Sequence, residues 1–128
     1  MQILDFAFVC YAVTDLARAQ DFYEKVLGFT PTKKWIDGDK GWIEYEVGPH
    51  TLAITNMADN WPPTAHGAAV AFEVADFDAA IAELKAANVK FTIEPCDSPV
   101  CRMAMICDPD GSPICIHKRN AIKLPNVG

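Results

Sequence analysis

The sequence predicts an α+β fold of two βαβββ modules in tandem, and three observations carry that prediction. Val13-Thr14-Asp15-Leu16 returns 61 residues later as Val74-Ala75-Asp76-Phe77. The order strand, helix, three strands can be read around both copies. Within each module, turn-forming residues separate short runs in which apolar side chains alternate. A period this long describes two modules rather than a solenoid. Neither module alone covers both faces of its sheet, so each needs a partner layer.

Taken in order, Phe6–Val13 is apolar and β-prone and reads as a buried strand. Thr14-Asp15 supplies N-cap candidates for a helix over Leu16–Leu27, with Leu16, Ala19, Phe22, Tyr23, Val26 and Leu27 at helical spacing. Gly28 is placed to end that helix in the left-handed conformation. Strands follow at Phe29–Ile36, Gly41–Val47 and Thr51–Thr55, with turns at Asp37–Lys40 and Gly48–His50. Asn56–His66, carrying Trp61-Pro62-Pro63, has no periodicity and reads as a linker. The pattern then resumes: strand Ala68–Val74, cap Asp76, helix Phe77–Ala87 ending near Asn88, strand Lys90–Glu94, and a hairpin of Val100–Cys107 with Pro113–Lys118. We therefore expect a single domain over 1–128, with modules at 1–56 and 67–120, a linker at 57–66 and a tail at 121–128.

The bulk properties bound the function. The 128 residues are 51% hydrophobic and 22% charged, an ordinary globular balance. A net charge of −6 with no long basic run argues against nucleic acid and anionic membranes as partners. The opening MQILDFAFVCYAV has no basic n-region or cleavage site, and its apolar run is too short to span a bilayer. Five cysteines, odd in number and without CxxC spacing, read as reduced thiols in the cytoplasm.

Strand alternation assigns side chains to faces. In the first module Ile43, Tyr45, Val47, Leu52 and Ile54 form the face a helix covers. Trp42, Glu44, Ala53 and Thr55 form the other, with Trp35 beside Trp42 and Lys33 beside Glu44. Phe8, Cys10, Ala12, Ala69 and Ala71 belong with that second face. In the second module a four-residue turn at Asp108–Gly111 sets Cys107 against Ser112, Ala104 against Cys115 and Arg102 against His117. Met103, Met105, Ile114 and Ile116 then face the helix, leaving Arg102, Ala104, Cys115 and His117 on the open side. Small residues with sparse polar groups describe a ligand site.

VTDLARAQDFYEKVLGF, FEVADFDAAIAELKAANVKF and the closing DPDGSPICIH resemble the vicinal oxygen chelate superfamily of glyoxalases, bleomycin-resistance proteins and extradiol dioxygenases. The resemblance covers nearly the whole chain. It implies paired βαβββ modules enclosing a half-barrel-like cleft, and a homodimer. Enzymes of that family hold a divalent metal through four side chains, and the matching positions here are Phe8, Ala53, Ala69 and Cys115. Three of these cannot ligate a metal, and a lone thiol suits a hard, oxygen-loving ion poorly. No metal and no cofactor are therefore expected.

The candidate ligand-binding residues are Trp35, Trp42, Glu44, Arg102, Cys115 and His117. The tryptophans offer stacking surface, or else seal a subunit interface. Glu44 offers a base or a counter-charge, against the plainer reading of a cross-strand pair with Lys33. Arg102 offers an anion clamp and His117 a hydrogen-bonding or proton-transfer group, against a merely solvated histidine. Cys115 reads as a pocket-lining thiol sooner than a nucleophile, since no orienting third group is visible. His50 and His66 read as solvated, and a metal site of His66, Cys115 and His117 has no support from spacing. The function expected is metal-independent small-molecule binding or sequestration. The alternative is a glyoxalase-type lyase or isomerase using Glu44, Arg102 and His117, or an unusual metal.

Overall fold

In a computed structural model, residues 1–120 are described, so the tail expected at 121–128 lies outside the described residues. The chain divides into two compact units after Thr64, within the segment read as a linker. The first contains β1 (Val9–Ala12), α1 (Leu16–Gln20), β2 (Pro31–Asp37), β3 (Lys40–Val47) and β4 (His50–Thr55). The second contains β5 (Val70–Glu73), α2 (Phe77–Ala86), β6 (Phe91–Asp97), β7 (Cys101–Cys107) and β8 (Pro113–Arg119). Each unit has one four-stranded sheet, ordered β1-β4-β3-β2 and β5-β8-β7-β6. In both, the first strand pairs parallel with the last and the other ladders are antiparallel.

The repeated helix starts have one cause. Asp15 accepts the Arg18 amide at 3.0 Å, and Asp76 accepts the Ala79 amide at 3.0 Å. Each carboxylate thereby satisfies an amide that the first helical turn leaves without a backbone acceptor. The first helix continues beyond Gln20 as a π-helical segment over Asp21–Val26, where the Leu27 amide reaches back to the Phe22 carbonyl. That wider turn places Phe22 and Tyr23 together on the buried side. Gly28 follows at φ +82°, as its helix-ending position required.

In the first unit Ile43, Tyr45, Ile54 and Tyr23 are fully buried, and the Tyr45 hydroxyl donates to Glu24 at 2.8 Å. Its ring lies 6.3 Å from that of Tyr23. Asn56 ties the β2–β3 hairpin to the end of β4, accepting the Gly41 amide at 2.9 Å and donating to the Asp39 carbonyl at 2.7 Å. In the second unit Phe77 and Leu84 of α2 are buried, as are Ala104, Ile106, Ile114 and Ile116 of β7 and β8.

The first unit keeps the expected pairing, Trp35 opposing Trp42 and Lys33 opposing Glu44, and Ile43 lies opposite Ile54 on the face expected for both. The second unit does not. Cys107 pairs with Pro113, Met105 with Cys115, Met103 with His117 and Arg102 with Lys118, one residue away from expectation. The turn is the reason. Asp108 already closes the ladder, its amide donating to the Ser112 carbonyl at 3.0 Å, so the loop is Pro109-Asp110-Gly111. Gly111 takes φ +85°, and the Gly111 amide returns to the Asp108 carbonyl at 2.9 Å. A turn followed by a left-handed glycine adds one residue to the connection and changes the register by one. Arg102 and Ala104 therefore lie on the helix-covered face, and Met103 and Met105 on the face with Cys115 and His117.

Gly41 is buried, and a Cβ there would lie 2.8 Å from Leu16 Cδ2 and 2.8 Å from the Trp35 carbonyl oxygen. One of those contacts is backbone and yields little. Gly41→Ala is therefore expected to destabilise the fold by about 1–3 kcal/mol, read as a lower urea midpoint with an unchanged slope.

Candidate functional site

On each sheet, the face away from the helix presents rows of side chains running across the strands. In the first unit one row is Cys10, Ala53, Glu44 and Lys33. The next is Ala12, Thr55, Trp42 and Trp35. The Trp42 indole N–H donates to Glu44 Oε2 at 2.8 Å, so the two rows are joined. The Phe8 ring meets the Trp42 ring edge-on, with centroids 5.4 Å apart and planes at 89°. Trp42 is thus held on two sides, a favourable aromatic geometry in one direction and a charge-assisted hydrogen bond in the other. Trp35 remains 54% exposed.

Glu44 shapes its neighbour as well. Burial, with the Glu44 charge adding to it, pushes the Cys10 thiol up to about 12. Burial also raises the Cys115 thiol, with Cys101 and Cys96 contributing. Both environments oppose thiolate formation, so neither cysteine is prepared as a nucleophile.

The corresponding rows of the second unit are Ala71, Cys115, Met105 and Ile93, then Glu73, His117, Met103 and Cys96. His117 Nδ1 lies 2.6 Å from Glu73 Oε1, and the other carboxylate oxygen accepts the Arg119 amide at 2.8 Å. The Arg119 amide first, and the histidine after it, hold the Glu73 carboxyl below the usual carboxylate range. Glu73 escaped the sequence reading, although a signal was present. Ala69 and Ala71 had been placed on this face, and the same alternation carried two residues further reaches Glu73.

Arg102 is the residue the register moves away. Its guanidinium lies 4.6 Å over the Phe77 ring at the start of α2. It reaches Asp78 at 3.1 Å and Asp97 at 3.0 Å. Two carboxylates and an aromatic face engage it on the helix side of the sheet, so it does not join His117 and Cys115. Of the other candidates, the structure brings Trp35, Trp42 and Glu44 together in the first unit, and Cys115 and His117 in the second. Glu44 opposes Lys33 in register, but its carboxylate takes the Trp42 indole.

Two sheets of identical strand order, each closed by a parallel ladder between its first and last strands, define a tandem βαβββ protein. The chain belongs to the glyoxalase/bleomycin resistance protein/dioxygenase superfamily, which its residues 5–116 match. A solved structure of TnmS3, an antibiotic binding protein from Streptomyces sp. CB03234, is similar with a TM-score of 0.77 at 24% identity, covering 94% of this chain and 99% of that one. A glyoxalase/bleomycin resistance protein from the same Streptomyces strain gives a TM-score of 0.71 at 25% identity, over 88% of this chain and 98% of that one. A glyoxalase/bleomycin resistance protein/dioxygenase from Nocardioides gives 0.75 at 20% identity, over 100% and 92%. A comparison with curated proteins returned no match.

The family's metal does not fit the residues at its four positions. Phe8 packs on Trp42, Ala53 is fully buried between Cys10 and Glu44, and Ala69 offers carbon only. Cys115 is the one heteroatom donor, and its thiol resists ionisation. Among the described residues no three His, Cys, Asp or Glu side chains converge in a metal-holding arrangement, the trio of His66, Cys115 and His117 included.

The thiols give a direct check. With a pKa of about 12, Cys10 is ionised to roughly one part in ten thousand at pH 8. In native protein treated with iodoacetamide at pH 8, exposed Cys96 should be modified first and Cys10 last, with the Cys10 rate rising as the pH is increased towards 10. Rapid modification of Cys10 at pH 8, mapped by peptide mass spectrometry, would contradict this environment.

Proposed function

We propose that the chain binds a small, largely apolar ligand without a metal, on the half-buried sheet face that carries Trp42 and Glu44. One observation carries this reading. Phe8 and Ala53 occupy family metal positions with carbon, and Phe8 uses its position to brace Trp42, which Glu44 fixes from the other side. The chemistry has changed from coordinating an oxygen to presenting a rigid aromatic surface beside one carboxylate, the lining expected of a ligand pocket. Structural likeness to an antibiotic binding protein accords with sequestration of such a ligand. A glyoxalase-type lyase or isomerase drawing on Glu44, Arg102 and His117 is the weaker reading, because Asp78 and Asp97 already engage the Arg102 guanidinium.

Assembly into a homodimer belongs to the same proposal. Ahead of β1 the chain exposes Met1, Ile3, Leu4 and Phe6, with 81% or more of each side chain's residue surface free. Apolar side chains gathered so closely favour burial against a second copy. The free state of all five thiols accords with a reducing, cytoplasmic setting. Among the described residues no helix is long and apolar enough to cross a membrane.

Tryptophan emission tests the binding reading, with naphthalene and acridine as probes. Saturable quenching is expected, weakened about tenfold or more in Trp42→Ala and little changed in Trp61→Ala. Absence of saturable quenching by any aromatic probe would remove the proposal. For assembly, sedimentation should report a dimer for the full chain and a monomer after Ile3, Leu4 and Phe6 are all changed to Ser; a monomer before the change would refute it.

A further inference from the structure

The second sheet holds a histidine that is oriented, partly exposed and left with one unused nitrogen. A carboxylate only accepts hydrogen bonds, so the 2.6 Å contact to Glu73 places the proton of the neutral ring on Nδ1. Glu73 is itself anchored, since its second oxygen takes the Arg119 amide at 2.8 Å. His117 therefore presents Nε2 as a bare acceptor, with no hydrogen-bond partner for it among the described residues. Around it the surface is soft and apolar: Met103 lies directly across the ladder, Met105 and Cys115 one pair further on. Thioether side chains adapt to an aromatic ring and attract it through sulfur. An acceptor at the border of such a surface matches a donor at the border of a ring.

We propose that the second unit recognises a hydroxylated aromatic compound, its phenolic O–H donating to His117 Nε2 while its ring rests on Met103 and Met105. Glu73 is the positioning residue, acting through the histidine and touching no ligand atom. This goes beyond the binding reading above, since it concerns the open face of the other unit and names the ligand class that this second surface takes. It uses nothing that either thiol supplies, in keeping with their protonated state. The likeness between units sharpens the assignment: the place of Thr55 in the first sheet is taken by His117 in the second, and that of Ala12 by Glu73. Only the second sheet bears the dyad.

The test compares 2-naphthol with 2-methoxynaphthalene, which share a ring system but not the donor. Calorimetry on the full chain should show 2-naphthol binding about tenfold more tightly, the preference one well-placed hydrogen bond supports. His117→Leu should abolish the preference while leaving the ether's affinity within about twofold. Glu73→Leu should reduce the preference without removing ether binding. In the ligand-free protein at alkaline pH, the long-range proton–nitrogen spectrum should show His117 as the Nδ1–H tautomer, a readout that requires no variant. Equal affinities for the two compounds, or an Nε2–H tautomer, would overturn the assignment while leaving aromatic binding intact. If neither compound binds, this inference falls, while quenching at Trp42 decides the first unit's reading separately.

Discussion

Asp108 is 4% exposed, and its carboxylate accepts the Asp110 amide at 3.0 Å and the Ser112 amide at 2.9 Å. Those two bonds, with Gly111 in the left-handed region, hold a loop that contains an odd number of residues between its closing pair. Side chains on a strand alternate with period two, so the parity of a loop decides which set faces the helix. Ile106 and Ala104 then meet Ile114 and Ile116 beneath α2, all of them buried, and Met103 and Met105 turn to the other side. What β7 contributes to the second sheet's open face descends from that turn. It places thioethers beside His117 and removes the only arginine that had been placed there.

The two sheets share a plan and differ in substance. In the first, the open face is stiff: an indole braced by a phenyl ring and tied to a carboxylate. In the second it is compliant, with methionines surrounding a histidine that a carboxylate orients. Rigid aromatic surface loses little conformational freedom on binding, while methionine conforms to what arrives. Duplication of a βαβββ unit supplies both faces at once, and divergence at a few pairs of positions sets what each offers. At the four positions that the family resemblance assigns to a metal, Phe8, Ala53 and Ala69 offer only carbon and Cys115 a thiol.

Much of the fold was legible in the chain. The Val-x-Asp-apolar repeat announced two modules because an aspartate at a helix N-cap answers a need of the backbone itself. Pairings around Asp37–Lys40 were legible because that loop is even, so Trp35 against Trp42 and Lys33 against Glu44 followed from counting. The strand β7 resisted the same treatment. Both of its faces are apolar, Met103 and Met105 on one and Ala104 and Ile106 on the other, so hydrophobicity could not choose between registers.

By itself, then, the sequence determined the elements, their order and the capped helix starts, because these rest on local chemistry and on residue identity. Only the tertiary structure decided that Arg102 belongs to the Phe77, Asp78 and Asp97 cluster, and that Glu73 and His117 form a pair. Glu73 and His117 are 44 residues apart and meet through a parallel ladder. That partnership depends on the register of β5 on β8, as the place of Arg102 depends on the register that the glycine-containing turn gives β7 on β8.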